Sequence, residues 1–323
     1  MEPSFTNRPY PVVEGVEIKH RFVDIGTLKI HIAEAGSGEP LIMYHGWPQN
    51  WWMWRNQIPL FAKYFHVIVP DMRGFGWSEV TDHGYLKDDL TKDFEKLVHA
   101  LGYKQVKLLS HDWGGWIGYI ASAMYPGLIS QHFATNIPPI WPKISYKMIP
   151  ATFRFGYMFR MSIPWFGSRM LMNSSKFVHH LLTRGGRRRE GWTEYEKNIF
   201  SDQFKEPARA KASAKLYGSF LYKEYIPLGL FGKYKKLFIK TPTRLLFGEN
   251  DFALALSWLR GYEKHVDDFE IELVPDTGHF IVDERPDLVN EKALQFFLDE
   301  KYNKERPLTI VNENDYDIRT VPD

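Results

Sequence analysis

The chain contains no cysteine. Disulfides, a thiolate nucleophile and cysteine-ligated metals are therefore excluded, and the absence fits a reducing compartment. Long hydrophobic runs are missing too: no window of about 18 uninterrupted apolar residues occurs, so no membrane span is expected. Met1 to Tyr10 is polar and proline-containing and lacks the apolar stretch of a secretory signal. Neither sign of charge dominates. A formal net charge of +2 over 323 residues sets up no global field for nucleic acid or anionic lipid. Arg184, Arg187, Arg188 and Arg189 form one basic run, but no aromatics interleave it, and it reads as a solvated loop. No internal repeat or low-complexity tract is present. These absences make the cytoplasm the simplest location and leave nucleic acid out as an expected partner.

What is present supports a large core. Hydrophobic residues make up 44% of the chain, aromatics 16% and charged residues 25%, a balance that argues against disorder. His20–Ile25 and Lys29–Ala35 are β-rich around Gly26-Thr27 and predict an opening hairpin. Leu41–His45, His66–Asp71 and Val106–Ser110 are short apolar runs suited to a sheet covered on both faces. Leu86–Leu101 has helical spacing, with Leu90, Phe94, Leu97, Val98 and Leu101 on one side. Trp113–Tyr125 predicts a helix directly after the Val106–Ser110 strand. Residues 138–236 lack clear strands and are rich in Pro and aromatics. Alternation then resumes with a strand at Thr243–Phe247, a helix at Ala253–Tyr262, a strand at Phe269–Val274 and a helix at Pro286–Phe297. The expected fold class is α/β: a mostly parallel, doubly wound sheet with an inserted helical unit. The expected division is core over 1–137, helical cap insertion over 138–236, core again over 237–304 and a loosely attached polar tail over 305–323.

The segment from Val106 to Gly115 carries the chemistry. A strand runs into Ser110-His111-Asp112-Trp113-Gly114-Gly115 and a helix follows, which is the pattern of a nucleophile elbow. The central residue of such a turn is strained, and small residues must stand two before and two after it. Ser110 and Gly114 meet that need around Asp112, and Gly115 lets the helix approach the sheet. A carboxylate at the elbow is already ionised at neutral pH, and the N–H groups of the new helix favour that charge. It can attack an sp³ carbon and form an ester that water then cleaves. Serine there would give an ether. The expected substrates are therefore epoxides or haloalkanes. Reading Ser110 as the nucleophile, or Asp112 as a mere helix cap, leaves the glycines and the other motifs unexplained.

His45-Gly46-Trp47-Pro48 follows a strand and can aim the Trp47 N–H into the site; with the N–H of Trp113 it predicts an oxyanion hole. His45 itself is expected to be a structural hydrogen-bonder. Asp71 to Ser78 reads as loop architecture, since its Gly-x-Gly lacks a dinucleotide context. His279, in the loop Asp276–Phe280 after a strand, is the candidate base. Asp251, with Glu249 as the nearby alternative, is the candidate orienter. Asp251 lies nearer the start of the next predicted helix. The order nucleophile, acid, histidine is that of α/β-hydrolases.

Together these motifs resemble the epoxide hydrolases of the α/β-hydrolase fold, over about residues 15 to 300. The family spacing also selects Asp251. Ser110 departs mildly from a pattern that often has Gly there. The resemblance implies two tyrosines of the insertion as hydrogen-bond donors to the epoxide oxygen, and Tyr157 and Tyr217 look like that pair among Tyr146, Tyr195, Tyr222 and Tyr225. It implies hydrolysis of a small apolar epoxide by water to a vicinal diol through an aspartyl ester, with no metal and no organic cofactor, and it leaves a homodimer open. The alternative is a haloalkane dehalogenase using the same aspartate. Trp113 could then serve as a halide donor, but Trp47 stands where that family commonly has Asn. A fluoroacetate-type dehalogenase fits less well, because Trp113 replaces its carboxylate-gripping arginine. A non-catalytic binding protein on this fold is expected to have lost a triad member, and a serine esterase lacks its serine.

Overall fold

The structure is a computed structural model that describes residues 5–141, 156–184, 191–225, 228 and 232–303. Tyr146, the Arg187–Arg189 part of the basic run and the tail over 305–323 lie outside the described residues.

Eight strands form one sheet: β1 (Lys19–Asp24), β2 (Lys29–Ala35), β3 (Glu39–Tyr44), β4 (Phe65–Pro70), β5 (Val106–His111), β6 (Ile129–Thr135), β7 (Thr243–Gly248) and β8 (Phe269–Val274). Their order is β1-β2-β4-β3-β5-β6-β7-β8. The opening hairpin pairs Asp24 with Lys29, and β2 runs antiparallel to β4. From β4 to β8 every pairing is parallel. Every residue of β5 is buried, as expected of a strand covered on both faces. The chain leaves β3 for β4 on one side and then crosses back to β5 on the other. The crevice beyond the carboxyl ends of β3 and β5 is thus the topological switch point, where open α/β sheets place their ligands.

Helices α1 (Lys87–Ala100) and α2 (Trp113–Met124) flank the sheet and pack on each other. Between β6 and β7 the chain forms α3 (Gly156–Ser162), α4 (Pro164–Asn173), α5 (Ser175–Leu182), α6 (Glu194–Ser201) and α7 (Pro207–Ser219), followed by a π-helical turn over Phe220–Tyr225. Thr193 opens α6 with a capping box. Its hydroxyl accepts from the Glu196 N–H, and the Glu196 carboxylate accepts from the Thr193 N–H. Helix α8 (Pro286–Leu298) closes the core, starting on a proline at its first turn.

Two departures from the sequence reading are physical. Strand β6 was not expected, because Ser130, Gln131 and His132 break its apolar pattern. In the fold Gln131 and His132 are buried and find partners: the Gln131 amide donates to Phe296 O and its oxygen accepts from Lys107, while His132 Nε2 meets Ser110 Oγ at 2.7 Å and its Nδ1 alone stays unpartnered. The expected helix at Ala253–Tyr262 is absent apart from a 3₁₀ turn at Leu256–Trp258. Asp251 captures the N–H groups of Ala253 and Leu254 at its start, and Gly261 adopts a left-handed φ of 104° at its end.

A buried ionic strap ties α6 to the core. Arg55 donates to Asp283 at 2.8 Å and to Glu196 at 2.7 Å, while Gln49 donates to the other Asp283 oxygen at 2.9 Å. The Arg55 guanidinium also lies 4.4 Å from the Trp52 ring centroid. Removing the cation leaves two buried carboxylates facing one another. Arg55→Met is expected to cost about 3 kcal/mol and to lower the melting temperature by several degrees, as read by calorimetry; an unchanged transition contradicts the strap's role.

Candidate active site

Strand β5 delivers Asp112 to the switch point in a conformation that few residues tolerate, φ 49° and ψ −125°. Such backbone costs on the order of 1–3 kcal/mol. It exists here because the surroundings leave no alternative. A Cβ on Gly114 would stand 2.3 Å from Tyr44 O, and one on Gly46 would stand 2.4 Å from Asp112 Cβ. Gly46 is therefore required for close approach and not for unusual dihedrals. Ser110 is tolerated because its hydroxyl has its own partner in His132. Asp112 caps no N–H of α2 beyond that of its first residue, Trp113, so helix capping does not account for it.

The Asp112 carboxylate instead accepts from two backbone donors. Trp47 N–H reaches Oδ1 at 3.0 Å, and the Trp113 N–H is the second. Burial pushes the Asp112 carboxyl above its ordinary range, while His279 and the two N–H groups act against that shift. His279 Nε2 faces the other oxygen, Oδ2, at 3.7 Å. Its Nδ1 is 2.8 Å from Asp251 Oδ2. Burial opposes protonation of this imidazole, but the Asp251 carboxylate, its hydrogen bond and the charge of Asp112 outweigh burial and lift it to about 8. The rings of His111, Phe252 and Phe280 stand 5.0, 5.7 and 5.0 Å from His279 and hold its plane. Glu249 is exposed and Asp251 is buried, so the geometry selects Asp251.

Asp251 is itself fully partnered. Oδ1 accepts from Ala253 and Leu254 N–H at 2.7 and 2.9 Å, and Oδ2 accepts from Asn136 Nδ2 at 2.8 Å. Asn136 was missed in the sequence. It sits just after β6 with a left-handed φ of 42°, and its amide also contacts Gly278 O and Gly248 N–H at 3.2 Å each. It thereby joins the ends of β6 and β7 to the His279 loop. The available signal was a polar residue able to adopt positive φ at the point where the alternation stops. His45 is buried, as a structural residue should be: Nδ1 contacts Gly46 O at 2.9 Å, and Nε2 accepts from Met72 N–H at 2.9 Å. Asp71 anchors the next loop by accepting from Trp51 and Trp77 N–H, each at 2.8 Å.

Tyr157 on α3 and Tyr217 on α7 meet above Asp112. Their ring centroids are 5.9 Å apart at 78°. The Trp47 ring lies 6.3 Å from Tyr157 and 5.2 Å from Tyr217, and the Trp113 ring lies 6.0 Å from Tyr217. Both phenols are raised above their usual pKa, mainly by burial and further by the Asp112 charge, so both stay protonated. The helices between β6 and β7 also fix the His45–Pro48 loop, which sequence reasoning did not foresee. Ser213, one turn before Tyr217 on α7, accepts from the Trp47 indole N–H at 3.0 Å. Gln203 donates to Pro48 O at 2.9 Å and accepts from Gly76 N–H at 2.8 Å. Beneath the site, buried Lys87 lies 4.2 Å from the Trp113 ring centroid and 3.5 Å from Glu224. Burial lowers its ammonium pKa, while Glu224 and Asp112 favour the charged form.

Residues 39–286 match the model of the alpha/beta hydrolase fold family. Epoxide hydrolase 3 of Mus musculus is 31% identical over 281 residues, 84% of this chain and 74% of that protein. The soluble epoxide hydrolase of Corynebacterium sp. (strain C12) is 29% identical over 87% of this chain and 98% of its own length. The solved structure of the ligand-free epoxide hydrolase CorEH superimposes with a TM-score of 0.78 at 26% identity, covering 87% of this chain and 99% of the other. The chain thus belongs to the epoxide hydrolase family of the α/β-hydrolase fold.

Proposed function

We propose that the chain hydrolyses an epoxide to a vicinal diol through an ester on Asp112, with residues 138–236 acting as a cap. The observation that carries this reading is the pair of protonated tyrosines facing a carboxylate whose Oδ1 already rests on two N–H donors. That arrangement leaves Oδ2 as the attacking oxygen. It forms a bond to one epoxide carbon as the carbon–oxygen bond of the ring breaks, the departing oxygen takes a proton from Tyr217 or Tyr157, and the tyrosinate recovers a proton from the His279 imidazolium, directly or through water, leaving the imidazole neutral. Water then loses a proton to His279 Nε2 and attacks the ester carbonyl carbon. The oxyanion develops where Oδ1 lay, against the N–H groups of Trp47 and Trp113. Collapse expels the diol and restores the carboxylate. No step requires a metal or an organic cofactor.

Electrostatics times the two halves. In the free enzyme His279 is held near pKa 8 partly by the Asp112 charge. Esterification removes that charge and so lowers the imidazole pKa, which turns an acid into the base that the second half needs. For the haloalkane reading the Trp113 indole N–H, directly after Asp112 in the chain, is the available donor. It flanks Tyr217 without a well-formed hydrogen bond. The second donor that a halide requires is not free, since the Trp47 indole is engaged by Ser213.

Purified protein offered styrene-oxide-like epoxides and bromoalkanes side by side is expected to give diol and no bromide, with all activity lost in Asp112→Ala. Bromide without diol overturns the reading. Tyr217→Phe is expected to slow ring opening by at least tenfold with ester hydrolysis unchanged. His279→Gln is expected to accumulate the Asp112 ester, visible by intact mass. In wild-type single turnovers, ester hydrolysis should rise with pH to a plateau with an apparent pKa below about 8; a rate that falls with pH over that range rules out a neutral imidazole as base. Asn136→Gly keeps the positive φ and removes the bond to Asp251. It is expected to slow ester hydrolysis roughly tenfold or more while leaving the alkylation half-reaction near wild type.

A further inference from the structure

We propose that the face built from α3, α4 and the π-helical turn docks on an anionic lipid surface. The inference stands on that face's own chemistry, whether or not the epoxide reading holds.

The face is apolar where soluble helices are usually polar. Phe159, Ile163, Trp165, Phe166 and Tyr222 are exposed, Trp165 by 66%, Tyr222 by 57% and Phe159 by 52%. They are neighbours. Phe159 lies in the last turn of α3 and Ile163 caps the start of α4 just after it, the rings of Trp165 and Phe166 are 5.9 Å apart, and the Tyr222 and Ser162 hydroxyls lie 2.9 Å apart. Scattered exposed hydrophobics need no explanation, but a contiguous aromatic patch does. The inward sides of the same helices are normally packed, with Met158, Met161 and Leu171 in the core.

The charge around the patch is of one sign. Arg160, Arg169 and Lys223 are exposed among these side chains. Between Asp112 and Glu190 the sequence contains no Asp or Glu. Of the elements packed against α3 and α4, α5 adds Lys176 and His180, with His179 facing Glu194, and α7 adds exposed Lys211, while Arg209 is buried against Glu206 and Lys215 pairs with Asp82. Nearby acids are engaged: Glu224 is buried against Lys87 and Lys233, and Asp202 pairs with Arg8 and Lys205. The whole-chain charge of +2 thus conceals a locally positive face.

A partner for this face must be both apolar and negative. A two-fold contact with a second copy would bring Arg160, Arg169 and Lys223 against themselves, a repulsive arrangement. Nucleic acid wants bases tracking along a groove with hydrogen-bonding side chains, whereas here five apolar side chains project with only three cations among them. Aromatic rings seated at headgroup level with cations on the phosphates satisfy both demands. No helix among the described residues is long and apolar enough to cross a membrane, so this is surface contact.

The test is co-sedimentation of the full chain with phosphatidylcholine vesicles and with equimolar phosphatidylcholine–phosphatidylserine vesicles. The expected result is pelleting with the anionic vesicles that weakens as salt rises. Trp165→Ser with Phe166→Ser is expected to reduce binding roughly tenfold or more. Neutralising Arg160, Arg169 and Lys223 to Gln is expected to reduce it about fivefold per charge. Circular dichroism melts matching wild type show that these exposed substitutions leave the fold intact. Pelleting with neither vesicle, or equal pelleting of wild type and both variants, overturns the proposal. So does a dimer in sedimentation equilibrium that the Trp165/Phe166 variant dissociates, because the patch is then covered by a second copy.

Discussion

Strain at Asp112 is the constraint on which the rest depends. Its φ of 49° is held only because β5 is clamped between β3 and β6 and because α2 begins at once behind it. That close start is what forbids a side chain at Gly114, which faces the carbonyl oxygen of Tyr44 at the end of β3. The turn lifts the carboxylate clear of the sheet and presents it to the N–H groups of Trp47 and Trp113. Folding free energy stored in the core is thereby converted into a fixed direction for one side chain.

The two carboxylates at that point are partnered differently. Asp251 is saturated by two N–H groups, an amide and an imidazole. Asp112 has two N–H donors and a histidine at 3.7 Å, and burial pushes it upward. The contrast leaves Asp112 with fewer strong partners than Asp251, as the proposed nucleophile needs. His279 lies between them, and its proton affinity follows the charge on both.

The helices between β6 and β7 do more than cover the site. Ser213 and Tyr217 lie one turn apart on α7. The first grips the Trp47 indole, whose backbone N–H serves Asp112, and the second faces the carboxylate. Gln203 clamps the neighbouring carbonyl of Pro48. A shift of α7 therefore moves a phenol and a backbone donor together. The Arg55 strap ties the earlier helix α6 to the core in the same way. On the outside, the same helices present the aromatic and basic face proposed to meet lipid.

Local pattern determined most of the architecture. Alternating apolar strands and helical spacing placed seven of the eight strands and the flanking helices, because each period reports which side of an element is buried. The elbow was legible for the same reason: small–x–Asp–x–Gly is a steric requirement of adjacent residues. So was the order of Asp112, Asp251 and His279. What tertiary structure alone decided were matters of partnership across the chain. Strand β6 became a strand because the fold supplied Lys107, Ser110 and Phe296 O to its buried polar side chains. The span 253–262 failed to become a helix because Asp251, engaged with His279, took its first N–H groups. Ser213 and Gln203 carry no local signature and Asn136 only a weak one, since each acts on a residue 115 or more positions away in sequence. Sequence reports what one element needs from its own neighbours. Only the folded chain reports which distant group arrives to meet it.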